Sequence, residues 1–170
     1  HPPLSYHLLN LFSDLDPVGP GARRASIAFF ALGFASILCG LHFTGLFSNL
    51  GLAAVTMFCV LLKLQRFGGT FSNDSVAFLG GGLAFLGAVL LCRKVVSDRA
   101  LHAALAAGAA GTALCIAAKL NAAILAGTFI LVILAAFVIK ERAAFARVSK
   151  PLLLLCAAVC IAASLPYLAF

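Results

Sequence analysis

Charge is scarce in this chain and tryptophan is absent. Lys+Arg number 12 and Asp+Glu 5 in 170 residues, whereas soluble domains carry charge on about a quarter of their positions. So few charged side chains cannot make a polar skin, which excludes a soluble globular enzyme. Hydrophobic residues make up 64% of the chain, against about 45–50% in ordinary domains, and that excludes disorder.

Acids are missing from every apolar stretch. Asp14, Asp16, Asp74, Asp98 and Glu141 all fall in the N-terminal segment or in connections. Proton- or cation-coupled transport usually relies on an acid at mid-depth in the membrane, so that class loses its main support. Paired carboxylates for acid/base work are lacking too. There is no G-x-S-x-G, no H-E-x-x-H and no P-loop. Catalysis is not expected.

Cysteine occurs six times, at 39, 59, 92, 115, 156 and 160, but never as a CxxC pair. Each lies in or beside an apolar run, where the thiol behaves as a small hydrophobe. Neither a disulfide framework nor a zinc site has the spacing it needs. No metal is expected.

The basic residues that are present sit singly or in pairs between apolar runs, for example Arg23-Arg24, Arg93-Lys94 and Lys140 with Arg142. Helix-end anchors that reach for lipid headgroups are distributed this way, and a nucleic-acid-binding face is not. Nucleic acid is not an expected partner.

Long unbroken apolar stretches favour helices over the ten-residue alternation of a barrel. The fold class expected is all-α, a polytopic membrane helical bundle with about six transmembrane helices. Spans are read at 25–47, 50–66, 74–92, 100–118, 121–139 and 150–168. The second is short, because Lys63, Gln65 and Arg66 end it early. Lys119-Leu120-Asn121 is the weakest joint, with neither Pro nor Gly. One helix over 100–139 would run about 60 Å, twice the hydrocarbon core, so a tight hairpin is expected there. Asn121 can take its left-handed turn position.

With six spans, both termini share one side, together with Arg23, Arg24, Lys63, Arg66 and Lys119. Arg93, Lys94, Arg99, Lys140, Arg142, Arg147 and Lys150 share the other, which weakly favours that side as the positive one.

Residues 1–24 form a distinct head, and 25–170 the bundle. Prolines 2, 3, 17 and 20 interrupt regular structure in the head, and the Pro and Gly residues of 14–21 break any helix there. Leu4, Leu8, Leu11 and Phe12 recur at helical spacing in a piece too short to span. It is expected to lie in the membrane interface or on a neighbouring subunit. A removed transit peptide would fit a chain that starts at His1 in an organelle.

Glycine and alanine are plentiful. Gly80-Gly81-Gly82 lies inside the third span without a phosphate-binding Lys after it, and permits close helix approach. Ala104/Gly108 and Ala123/Gly127 are small-x-x-x-small pairs of the same kind. Thr56-x-x-Cys59-x-x-x-Lys63 is echoed by Thr112-x-x-Cys115-x-x-x-Lys119, a weak hint of duplication.

His42 and His102 are the candidate cofactor-binding residues. An imidazole in an apolar helix can ligate haem iron or chlorophyll magnesium. Their expected depths argue against a bis-histidine haem, and a hydrogen-bonded interfacial histidine is the plainer reading. The 15 Phe suit contact with lipid tails, neighbouring helices or flat pigments.

These features lead to one functional expectation: a non-catalytic accessory or scaffold subunit of a large energy-transducing membrane complex. A photosystem in the thylakoid is favoured slightly over a respiratory or ATP-synthase assembly in the mitochondrial inner membrane. Its partners would be other membrane subunits and the lipid bilayer, with structural lipids bound. Chlorophyll or carotenoid is the expected pigment, ahead of haem. The alternatives are a small transporter or channel for a neutral substrate, and then a haem-binding membrane anchor.

Overall fold

The structure, a computed structural model, describes residues 20–45, 73–91 and 97–119, with Gly127, Ala157, Ala158, Ile161 and Ala162. The described part is all-helical, with three long helices: α1 (Pro20–Thr44), α2 (Asn73–Leu91) and α3 (Asp98–Ala118). They correspond to the expected first, third and fourth spans. Expected spans 50–66, 121–139 and 150–168 lie outside the described residues, apart from the five isolated helical positions. Residues 1–19 of the head also lie outside them.

α1 begins five residues before the expected start. Pro20 is the cause, since a proline in the first turn lacks only an N–H that has no helical partner there. Arg23 and Arg24 are therefore helical residues. At the far end Gly45 takes φ +76° and its N–H donates to the His42 carbonyl at 3.1 Å. That left-handed position after the last turn ends the helix.

α3 is capped at both ends. The Ser97 hydroxyl accepts from the Ala100 N–H at 3.3 Å, and Asp98 follows in the first turn, where the helix dipole favours an acid. After Ala118 the backbone of Lys119 is extended, with φ −155° and ψ 137°. The helix therefore stops at Lys119, before Asn121 is reached.

Packing contacts fix the directions of the helices. Ser26 meets Ser75, Gly33 meets Gly82, and Gly40 meets Phe85, so α1 and α2 run parallel. Asp74 pairs with Lys119, Gly80 meets Gly111, and Gly87 meets Ala104 and Gly108, so α2 and α3 run antiparallel. The Thr44 end of α1 and the Asn73 end of α2 consequently lie at opposite ends of the bundle. Arg23, Arg24 and Lys119 share one end, and Arg99 lies at the other, as the charge reading expects.

α2 is the central helix. Positions two apart on a helix point about 200° from one another, so Gly80 and Gly82 face nearly opposite ways. Gly80 is turned to α3 and Gly82 to α1, while Gly81 between them is exposed. Ala25, Val76 and Ala118 form a small core where all three helices meet, with Phe29, Ala77 and Leu114 packed around it. Phe30, 2% exposed, stacks on Phe78 at 4.3 Å between centroids.

The outward side of α1 is apolar along its length. Ile27, Ala28, Ala31, Leu32, Ala35, Cys39 and Phe43 are exposed, with no charged residue between Arg24 and His42. A water-facing helix carries polar residues on that side. All three helices are long and apolar enough to cross a membrane, and α1 extends about 37 Å at 1.5 Å per residue. This fits an integral membrane protein.

Candidate functional site

Polar side chains gather at the end where α1 and α2 begin and α3 finishes. Ser26 and Ser75 are fully buried, and the Ser75 hydroxyl donates to Ser26 Oγ at 3.5 Å, the outer limit of hydrogen bonding. Asp74 opens α2 and forms an ion pair with Lys119 just beyond α3. Both partners are part-exposed, as befits a pair at the rim of a bundle. Asn73, 7% exposed, holds a buried Oδ1 that finds no hydrogen-bond partner among the described residues. Asn73 is one heptad before Gly80, so it shares the α2 face that packs on α3.

This end holds the helices in register. The Asp74 carboxylate is engaged by an ammonium, Ser26 and Ser75 by one another, and the other hydroxyls on the helices are tied to backbone. Thr112 donates to the Gly108 carbonyl at 2.7 Å, Ser36 to Leu32 at 2.8 Å and Thr44 to Leu41 at 2.7 Å. Among the described residues no group of three or more His, Cys, Asp or Glu side chains converges as a metal site would require.

His42 and His102 sit at the opposite end. His42 lies in the last turn of α1, exposed, with Phe43 edge-on at 5.8 Å. His102 is half-buried near the start of α3. α1 packs on the Phe85 side of α2 and α3 on the Gly87 side, so α2 stands between the helices that carry the two imidazoles. The structure puts both at one rim and does not bring them together.

Two contacts escape the sequence reading although their signals are present in it. An acid opening one span and a lysine closing the next become neighbours once the two helices form a hairpin, and Asp74–Lys119 is that pair. A serine near the start of each of two spans becomes Ser26–Ser75 once those helices are known to run parallel. The Ala104/Gly108 pair does meet α2: a Cβ on Gly87 would lie 2.6 Å from the Ala104 oxygen and the Gly108 nitrogen. Cys115 completes the hairpin, its thiol 3.7 Å from the Ala77 carbonyl oxygen. Thr112, Cys115 and Lys119 thus all lie on or beside the α2 contact, whereas Thr56, Cys59 and Lys63 lie outside the described residues.

No family model, curated protein or solved structure matches this chain.

Replacing any one of Asp14, Asp16, Asp74, Asp98 or Glu141 by its amide is expected to leave every chemical step intact. For Asp74→Asn the expected change is a loss of about 0.2–1 kcal/mol of stability, the range of an exposed ion pair. Detergent unfolding curves measure the stability term. An amide variant that assembles normally yet loses turnover by orders of magnitude would reveal an acid/base site.

Proposed function

We propose that the chain is a six-span, non-catalytic accessory subunit of a multi-subunit membrane complex. The observation that carries this reading is the internal engagement of the hydroxyl side chains on α1, α2 and α3, together with the ion pair between α2 and the end of α3. Their hydroxyls bond their own backbone or one another, and the carboxylate of Asp74 holds Lys119. A carrier for a neutral substrate needs a polar pathway drawn from Thr44, Thr56, Thr112, Asn121, Thr128 and Ser164. Thr44 and Thr112 are turned back on their own helices, and the other four lie outside the described residues.

The parallel course of α1 and α2 supports the span count. Between Thr44 and Asn73 the chain must return from one end of the bundle to the other, and the apolar stretch 50–66 is the segment that can make this crossing. Spans at 121–139 and 150–168 complete six and leave both termini on the Arg23–Lys119 side.

An energy-transducing complex, with a photosystem ahead of a respiratory or ATP-synthase assembly, is the host this reading favours. The exposed imidazole of His42, a side chain of the kind that can ligate chlorophyll magnesium, and the many phenylalanines support that choice. An absorption spectrum of the native protein tests it: chlorophyll bands favour the photosystem, a haem Soret band favours the membrane anchor, and an absence of chromophore leaves His42 an interfacial histidine.

Because α1 begins at Pro20, residues 1–19 can be removed without shortening α1. Deleting them is expected to leave the bundle folded but to weaken incorporation into the complex, read as loss of co-migration on a native gel. Full assembly of the truncated chain, or a native protein that runs as a monomer in mild detergent, would defeat the accessory-subunit reading and favour the small carrier.

A further inference from the structure

We infer that the outward face of α1 is a binding surface for an anionic diacyl phospholipid, with Arg23 and Arg24 at the phosphate. The inference rests on the membrane-spanning reading of α1 and goes beyond it by naming the lipid class. Arg24, Ala28, Ala31 and Ala35 lie at i, i+4, i+7 and i+11, so they share one face of the helix. The three alanines form a shallow apolar trough running away from the guanidinium. Ile27 and Leu32, 49% and 56% exposed, stand beside it as ridges. A trough of this shape accommodates a methylene chain.

Charge decides which headgroup belongs at its top. α1 has no acid in its first turn, and no acid occurs between Pro17 and Asn73 in the sequence. Arg23 and Arg24 are both exposed, and neither is joined to an acid among the described residues. At the same end of the bundle Lys119 is neutralised by Asp74. Among the described residues of that rim, the positive charge without an acid partner therefore belongs to α1, at the head of the apolar trough. A guanidinium pair matches the oxygens of a phosphodiester. A zwitterionic headgroup sets its own ammonium against the arginines, while an anionic one does not.

The test uses the full chain in mixed micelles of phosphatidylglycerol and phosphatidylcholine in equal amounts, with retained lipid counted by native mass spectrometry. The expected result is preferential retention of phosphatidylglycerol. R23Q/R24Q should lower that preference about twenty-fivefold, at roughly fivefold per basic residue. D74N/K119Q, which removes a pair without changing net charge, should leave the preference unchanged. Equal retention of both lipids by the native chain would overturn the inference, and so would an unchanged preference in R23Q/R24Q. A partner helix found covering Ala28 and Ala31 in the native complex would overturn it as well. Carbonate extraction separates the two levels: a chain stripped from membranes fails the spanning reading itself, whereas a chain that resists extraction yet shows no lipid preference fails only the lipid site.

Discussion

Gly82→Ala and Gly111→Ala are expected to push the helices apart, while Gly81→Ala is expected to leave the bundle intact. A Cβ on Gly82 would overlap the Gly33 carbonyl oxygen, and one on Gly111 would overlap the Ala84 nitrogen. Both obstacles are backbone, which cannot rotate aside as a side chain can. Relief requires a shift of a whole helix, and overpacking of this kind costs typically about 1–3 kcal/mol. In a bilayer the contact is held by close packing, because lipid is as apolar as the helices themselves. A displaced helix therefore loses most of what holds it. At Gly81 a Cβ meets nothing within 4 Å, and alanine regains up to about 1 kcal/mol of helix propensity. The adjacent glycines Gly81 and Gly82 should thus respond in opposite directions. Titration into denaturing detergent, followed by circular dichroism, reads the difference. Equal midpoints for Gly81→Ala and Gly82→Ala would show that α1 does not pack on α2 through Gly33.

Helix positions were the most legible part of this fold. Apolar runs bounded by charge place α2 and α3 within two residues of the expected 74–92 and 100–118. They miss the start of α1 by five, because Pro20 reads as a breaker when it is in fact a tolerated first-turn residue. The break after Ala118 was legible from length alone, since one helix over 100–139 would overrun the hydrocarbon. Its means was not legible: Lys119 breaks the helix by an extended backbone, which no residue preference signals.

Neighbour relations were less accessible. Hydropathy gives each helix its length but not its partner, and a nearly all-apolar helix has no polar side to orient it. The parallel packing of α1 on α2 appears only through contacts such as Gly33–Gly82 and Phe30–Phe78. The histidines show the same limit. Position along a span puts His102 at a membrane edge and leaves His42 either near an edge or moderately deep, and it cannot say that the two fall at the same rim with α2 between them.

α1, α2 and α3 are expected to cross a membrane as a layer in which the outer two helices run in opposite directions. Single cysteines placed in a chain freed of its native thiols test this most directly, using a membrane-impermeant maleimide on sealed vesicles. Arg24→Cys and Lys119→Cys lie at one end of the layer, and Thr44→Cys and Ser97→Cys at the other, all at exposed positions. All-or-none labelling is expected, with 24 and 119 modified from one side and 44 and 97 only from the other. Labelling of 24 and 44 from the same side would contradict this, because α1 would then not cross.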